Sequence, residues 1–243
     1  MSALKVGLVS VVLGTIGSVF SWLTFGDWFP VQASVQAERQ DTLYLALMIM
    51  SSYIFALVVT FLVYSIWKFR APPGDMSDGP PIHGNTMLEV IWTIIPLVIV
   101  LSFAVYGSWV LIKNEAKPPP GGLQVGVLGQ QFAWTFTYPN GVKSGILYLP
   151  VGQEIQFNIT AREDDVIHSF YVPEFRVKAD AVPGVMNHTY AHTTRTGTYA
   201  LICTELCGIG HGQMRAVVRV LPEKIFNAWL VKAKALQSNP GGA

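Results

Sequence analysis

The sequence predicts a membrane-anchored α-helical region followed by an all-β sandwich or barrel. Three observations carry this: long uncharged apolar runs confined to residues 6–112, a Pro/Gly break at residues 118–122, and β-rich stretches from Leu123 onward. Of 243 residues, 13% are charged and 51% hydrophobic. That is too apolar for an ordinary soluble domain of this length, and membrane spans are the usual cause. A formal net charge of +1, with no clustered Lys/Arg patch, argues against nucleic acid as a partner.

The apolar runs are Val6 to Phe25, Leu43 to Trp67 and Val90 to Ile112. At ~1.5 Å rise per residue, each is long enough for a hydrocarbon core of about 30 Å. The second follows Glu38, Arg39 and Asp41, carries Tyr44 and Trp67 near its ends, and stops at Lys68 and Arg70, as membrane interfaces favour. The third contains Pro96 and ends at Trp109 and Lys113; proline bends a membrane helix without forbidding it. The first has more than one reading. Lys5 before an apolar stretch resembles a secretory signal, but no small-x-small cleavage site precedes Trp28-Phe29-Pro30. With the chain starting at Met1, we expect an uncleaved anchor or third span; a helix lying in the interface is the alternative.

Pro72-Pro73-Gly74 and Gly79-Pro80-Pro81 make the loop from Lys68 to Leu88 extended and helix-free. Loop charges point only weakly to a cytoplasmic Lys68/Arg70 side. Three spans with an inner amino terminus, or two with an outer one, place everything after Ile112 on the outer face. The expected division is a transmembrane region at 1–117 and a β-domain with a C-terminal helix at 118–243. After the linker Pro118-Pro119-Pro120, strands are expected at Leu123–Leu128, Phe132–Tyr138, Glu154–Ile159 and Ala216–Leu221. Turn signals such as Pro139-Asn140-Gly141 and Pro183-Gly184 separate them. Short strands at such spacing form sandwiches or barrels, and Glu223–Leu236 has helical spacing.

The chemistry concentrates near the C-terminus, in Cys203-Thr-Glu205-Leu-Cys207-Gly-Ile-Gly-His211-Gly-Gln-Met214. Its two cysteines are the only two in the chain. Thiolate and thioether are soft ligands and imidazole is borderline, a mixture that suits copper. A mononuclear blue-copper site needs one Cys, so the second points to more than one metal. A disulfide would leave His211 and Met214 unexplained. Zinc accepts Cys and His but leaves Glu205 and Met214 without a task. Alone, Met214 would read as a core gap-filler. A second imidazole must come from outside the loop. His83 sits in the Pro/Gly loop across the membrane, and His188 and His192 read as surface strand or turn positions. His168, in Asp165-Val-Ile-His168 at the end of an apolar stretch, can meet an adjacent loop.

His168 followed by Cys203-x-Glu205-x-Cys207-x-x-x-His211-x-x-Met214 resembles the dinuclear copper (CuA) motif of subunit II of haem-copper cytochrome c oxidases. The resemblance includes two long spans, Glu89-Val-Ile-Trp92-Thr-Ile-Ile-Pro96, the aromatic run through Trp134 to Tyr138, and Lys178-Ala-Asp180-Ala-Val-Pro-Gly. It runs from about Leu43 to Pro222 and leaves out Met1–Phe25. It implies a cupredoxin-like Greek-key β-sandwich or barrel in which Cys203 and Cys207 bridge two coppers and His168 and His211 each bind one. Met214 and the Glu205 backbone carbonyl would be weak ligands, and the Glu205 carboxylate would hold magnesium or manganese toward subunit I. It further implies electrons taken from cytochrome c or a similar carrier and passed to haem in subunit I, where oxygen reduction is coupled to proton translocation. This chain alone would reduce no oxygen.

By the same resemblance, Glu89 marks the mouth of a proton channel; a helix-start carboxylate favoured by the macrodipole is the competing reading. Glu163, Asp164 and Asp165 would steer a basic cytochrome c, or form a solvated turn. Where the family usually has Trp two residues before Trp134, this chain has Phe132, which makes Phe132 and Trp134 the candidates for receiving electrons. No Cys-x-x-Cys-His haem-attachment motif occurs, so the donor is expected to be a separate protein. The alternatives are a nitric oxide reductase subunit of the same superfamily and a membrane-tethered binding or assembly module with zinc or a disulfide. A quinol oxidase subunit is disfavoured, because those relatives lack the copper ligands.

Overall fold

The structure, a computed structural model, describes residues 3–79, 81, 83–117 and 121–239. The linker prolines 118–120, and Pro80 of the loop from Lys68 to Leu88, lie outside them. The three apolar runs form helices α1 (Ala3–Trp28), α2 (Val35–Lys68) and α3 (Thr86–Glu115), all long and apolar enough to cross a membrane. Each extends beyond its apolar run because polar flanking residues continue the same backbone. Ser34 caps α2, its Oγ accepting from the Ala37 N–H at 3.0 Å, and Asn85 Oδ1 accepts from the Leu88 N–H at 3.1 Å at the start of α3.

One unit comprises Met1–Phe29 and Thr42–Val110. There α1 turns its small residues to α2: a Cβ on Gly14 would come within 2.5 Å of the Tyr53 ring, and one on Gly17 within 3.3 Å of Ser52. Ser10, Ser18 and Ser21 are buried, and Thr15 shares a hydrogen bond of 3.2 Å with the Tyr53 hydroxyl. Small residues that let helix backbones approach are how membrane helices associate.

The other unit comprises Pro30–Asp41 and Leu111–Ala243. It holds ten strands: β1 (Leu123–Gln130), β2 (Ala133–Thr137), β3 (Lys143–Ser144), β4 (Leu147–Pro150), β5 (Glu154–Ala161), β6 (His168–Val172), β7 (Val177–Ala181), β8 (Asn187–His192), β9 (Gly197–Cys203) and β10 (Arg215–Leu221). They form two five-stranded sheets, ordered β3-β2-β1-β5-β8 and β4-β10-β9-β6-β7. β1 pairs parallel with β5 and β10 with β4; the other pairings are antiparallel. This is the expected cupredoxin-like sandwich. Alternation decides which side chains enter the core. Ile155, Phe157 and Ile159 of β5 and Val125 and Val127 of β1 are buried, with Phe170, Leu201 and Val218 from the other sheet. Helix α4 (Glu223–Ser238) buries Phe226 and stacks Trp229 on Tyr148 at 4.1 Å.

The connector Pro30–Asp41, counted with the helical region in the sequence reading, packs with the β-unit. Arg176 explains this. Its guanidinium donates twice to the Asp41 carboxylate, both at 2.9 Å, and to the Pro30 carbonyl at 2.7 Å. Ser34 Oγ donates to the Phe175 carbonyl at 2.8 Å, and Gln36 Oε1 accepts from the His192 N–H at 2.9 Å.

Candidate metal centre

The second sheet brings the ligand types together. β6 opens at His168 and β9 closes at Cys203, and the two strands pair Phe170 with Cys203. The chain beyond Cys203 loops out and returns as β10. The Cys203 N–H to Met214 carbonyl bond (3.1 Å) closes that loop, and Thr204 N–H to the Ser169 carbonyl (3.1 Å) ties it to β6. Within it, His211, Gln213 and Met214 N–H groups bond to the Gly208, Gly210 and His211 carbonyls at 3.0–3.2 Å.

The side chains converge. One nitrogen of His168 and the sulfurs of Cys203 and Cys207 lie within 4.8 Å of one another. The sulfurs are 3.9 Å apart, Cys207 Sγ is 3.6 Å from His211 Nδ1 and 3.8 Å from Met214 Sδ, and Cys203 Sγ is 3.3 Å from the Glu205 carbonyl. At 3.9 Å the thiols are unbonded, far beyond a disulfide of about 2.05 Å. The separation is also less than two metal–sulfur bonds of about 2.3 Å each. One ion can therefore touch both sulfurs, and an equivalent position exists on the opposite side of the line joining them. His168, Cys203, Cys207 and Met214 are buried, His211 is half-buried and Glu205 exposed.

Electrostatics fits a metal better than an empty core. His168 is fully buried and its Nδ1 has no hydrogen-bond partner, a costly arrangement unless something ligates it. Its Nε2 faces Asp165 Oδ1 at 3.5 Å, longer than a direct hydrogen bond but the carboxylate–histidine pairing that orients metal ligands. Burial pulls the imidazole below its ordinary pKa, against the opposing pull of Asp165, which favours the neutral ligating form. Burial pushes the Cys207 thiol up to about 11, and Cys203 beside it adds to the rise; two sulfurs this close hold protons unless a cation replaces them. Soft sulfur with imidazole is the donor set copper takes.

Two expectations change. Asp165 cannot present its charge to a partner, because its side chain is 4% exposed. Its oxygens accept the Gln131 N–H at 2.8 Å and the Val166 N–H at 2.7 Å. Desolvation works against the ionised form, yet those donors, with His168 and Arg162, outweigh it and leave the pKa lowered. Glu163 and Asp164 are exposed, with Asp164 paired to Arg162. Trp134 is 3% exposed and packs edge-on to His168 and Phe170 at 6.2 and 6.1 Å, so it cannot touch a donor protein. Phe132 is half-buried against the ligand loop: Cβ atoms on Gly208 and Gly210 would come within 3.3 and 2.5 Å of its ring.

His188 and His192 stay outside the cluster, bonded to Asn158 at 2.8 Å and Glu154 at 2.9 Å. His83 lies in the exposed loop between α2 and α3. Sequence reasoning missed Gln131, whose side-chain amide donates to the Cys207 carbonyl, and the structural use of Asp165. Neither carries a motif.

The sequence also matches known proteins. Residues 142–221 match the family model of the cytochrome c oxidase subunit II periplasmic domain, and residues 21–109 match that of its transmembrane domain. Cytochrome c oxidase subunit 2 of Thermostichus vulcanus is 34% identical, the match covering 87% of this chain and 80% of the relative. That of Synechocystis sp. is 32% identical, covering 92% and 81%. Among solved structures, the periplasmic domain of subunit II of cytochrome oxidase of Bradyrhizobium japonicum matches at 31% identity and a TM-score of 0.46, covering 48% of this chain and 96% of that one. This chain belongs to the cytochrome c oxidase subunit II family, the membrane-anchored, copper-binding subunit of a haem-copper oxidase.

Proposed function

We propose that this chain is the electron-receiving subunit of its oxidase, with a dinuclear copper centre held by His168, Cys203, Cys207, His211, Met214 and the Glu205 carbonyl. The observation that carries this is the pair of unbonded, buried sulfurs 3.9 Å apart with imidazole, thioether and carbonyl around them. Copper held there by Cys203 and Cys207 with His168, His211 and Met214 would supply a one-electron carrier. The protein's part is to place both thiols where a cation can displace their protons, keep His168 neutral and fix its ring against Asp165. Burial excludes water from the sulfurs and from Met214. The chain takes electrons from cytochrome c or a similar carrier and delivers them to haem in subunit I.

Other roles follow from the same reading. Residues 1–117 anchor the chain against subunit I, and residues 118–243 form the copper domain on the outer membrane face. Exposed Glu205 offers a carboxylate for magnesium or manganese at the subunit I boundary, as hard cations prefer oxygen. Phe132 is the aromatic residue on the donor's path, while Glu163 and Asp164 steer docking. Glu89, in the first turn of α3, stands at a proton-channel mouth in subunit I.

The test is to purify the full chain in detergent with copper and measure metal content and spectrum. We expect two coppers per chain and a mixed-valence signal shared by both ions. One colourless zinc ion per chain, or a mononuclear copper spectrum, defeats the proposal.

A further inference from the structure

We infer that Gln131 is a positioning residue that ties the copper-binding loop to the strand-borne histidine. The inference rests on the dinuclear reading above. Gln131 and Phe132 connect β1 to β2, where Gln130 pairs with Ala133. Two-residue hairpin connections of the commonest types need positive φ and so favour Asn-Gly, Asp-Gly or Gly-X. Gln131 and Phe132 are not among the positive-φ residues, so this connection has no need of glycine and can carry two long side chains. Both point at the ligand loop.

The loop needs an outside support. Gly208 and Gly210 frame its centre, and glycine loses more conformational freedom on ordering than any other residue. The loop's internal backbone bonds are donated by His211, Gln213 and Met214 and reach back to the Gly208, Gly210 and His211 carbonyls. From Glu205 to Gly210, among the described residues, the Gln131 side-chain amide is the one group from outside the loop that hydrogen-bonds its backbone, at the Cys207 carbonyl. Phe132 closes over the same place, its ring against Gly208 and Gly210.

The other end of Gln131 is equally fixed. Its backbone N–H donates to Asp165 Oδ2 at 2.8 Å, and the other oxygen of that buried carboxylate faces His168 Nε2 at 3.5 Å. One residue therefore links Cys207, through its carbonyl, with His168, through Asp165. Those two ligands come from different elements, 39 residues apart by their numbers (207 − 168). Fixing their separation before metal arrives is the supporting contact a precise metal site needs.

The test uses the full-length chain in detergent. Gln131→Met keeps length and shape but removes the donor, and leaves the backbone N–H to Asp165 in place. In the copper-free chain we expect amide hydrogen exchange of His211, Gln213 and Met214, whose N–H groups are bonded within the loop, to accelerate at least fivefold, with β9 and β10 unchanged. In the copper-loaded chain, Gln131→Met keeps two coppers but shifts the visible bands and the reduction potential. Exchange within twofold of the parent, with an identical spectrum, overturns the inference. So does acceleration spread equally over β9 and β10, since that reports loss of the fold rather than of a strut. A measurement on the unaltered chain stands apart from any variant. The Gln131 carboxamide protons should exchange at least tenfold more slowly than those of free glutamine, and equal rates also overturn it. If the parent binds no copper or a single ion, the dinuclear reading fails, while the copper-free exchange data still decide the role of Gln131.

Discussion

Replacing Arg176 with Met should destabilise the β-unit more than any change at the protein surface. The Arg176 side chain is 4% exposed and that of Asp41 3%, and the guanidinium meets the carboxylate in a two-pronged contact, each bond 2.9 Å. It also donates to the Pro30 and Pro173 carbonyls. Met fills similar space but donates nothing, so the Asp41 charge stays buried without its cationic partner, while the Gln32 amide still donates to it at 2.8 Å. Removing one partner of a buried pair costs about 3–5 kcal/mol, because an uncompensated charge is left behind. A domain is typically stable by about 5–15 kcal/mol, so roughly a third or more would be lost. At about 3–6 °C per kcal/mol for a domain of this size, the melting temperature should fall by on the order of 10 °C or more. The assay is thermal and urea unfolding of the full chain in detergent, with Asp41→Asn and the double variant completing a cycle. The double variant should be less destabilised than the sum of the singles, since Asn buries no charge. A single variant within about 1 kcal/mol of the parent would show the pair to be solvated and the reasoning wrong.

Three further outcomes are expected. Cys207→Ser should abolish the two-copper signal while the β-unit still unfolds cooperatively; retention of two coppers per chain counts against bridging sulfurs. Tyr138 donates to the Tyr148 carbonyl at 3.0 Å and accepts from its N–H at 2.7 Å. Tyr138→Phe therefore leaves a buried donor unpaired and should cost about 1–3 kcal/mol in urea unfolding, and a cost near zero would mean water replaces the hydroxyl. Burial pushes the Tyr138 and Tyr199 phenols above their ordinary values, so the unfolded chain ionises first. Their contribution is complete below pH ~10 and is lost as pH rises through the folded values; stability flat to alkaline pH would contradict this.

The cluster around Cys203 and Cys207 was legible because its chemistry is rare and local. Two thiols, an imidazole and a thioether fall within Cys203–Met214, and a single loop between β9 and β10 carries them. His168 was legible as a strand end, and β6 does begin there. The strands were legible by alternation, as in β5, where Ile155, Phe157, Ile159 and Ala161 face inward. What escaped depends on chain crossings. Gln131 meets Cys207 across 76 residues, and Asp41 meets Arg176 across 135, and no local pattern announces either. Asp165 was misread for a related reason: three adjacent acidic residues read as one surface patch, but the third turns inward to serve two N–H groups and a histidine. The helix ends were drawn short because apolarity marks the lipid-facing length, whereas capping by Ser34 and Asn85 decides where the backbone begins to coil.

These details bear on how a flexible-looking loop can be held in place, as the proposed electron-receiving role requires. An electron carrier is fast when its ligands barely move between oxidation states, which requires that the protein rather than the metal set their positions. A loop with Gly208, Gly210 and Gly212 looks unsuited to that. Here two of the three glycines are places where other groups press close: a Cβ on Gly208 would meet Gln131 Nε2 at 2.9 Å, and one on Gly210 the Phe132 ring at 2.5 Å. Glycine is required at those two points because rigidity is imposed from outside by the β1–β2 turn. Gly129 does the same beneath the site, where a Cβ would lie 3.1 Å from both His168 Cδ2 and the Trp134 ring. The buried Trp134 thus fixes the histidine from below, as Gln131 and Phe132 fix the cysteine loop from above. In this chain, the aromatic run from Phe132 to Tyr138 therefore has a packing duty at the site, carried by Phe132 above it and Trp134 below.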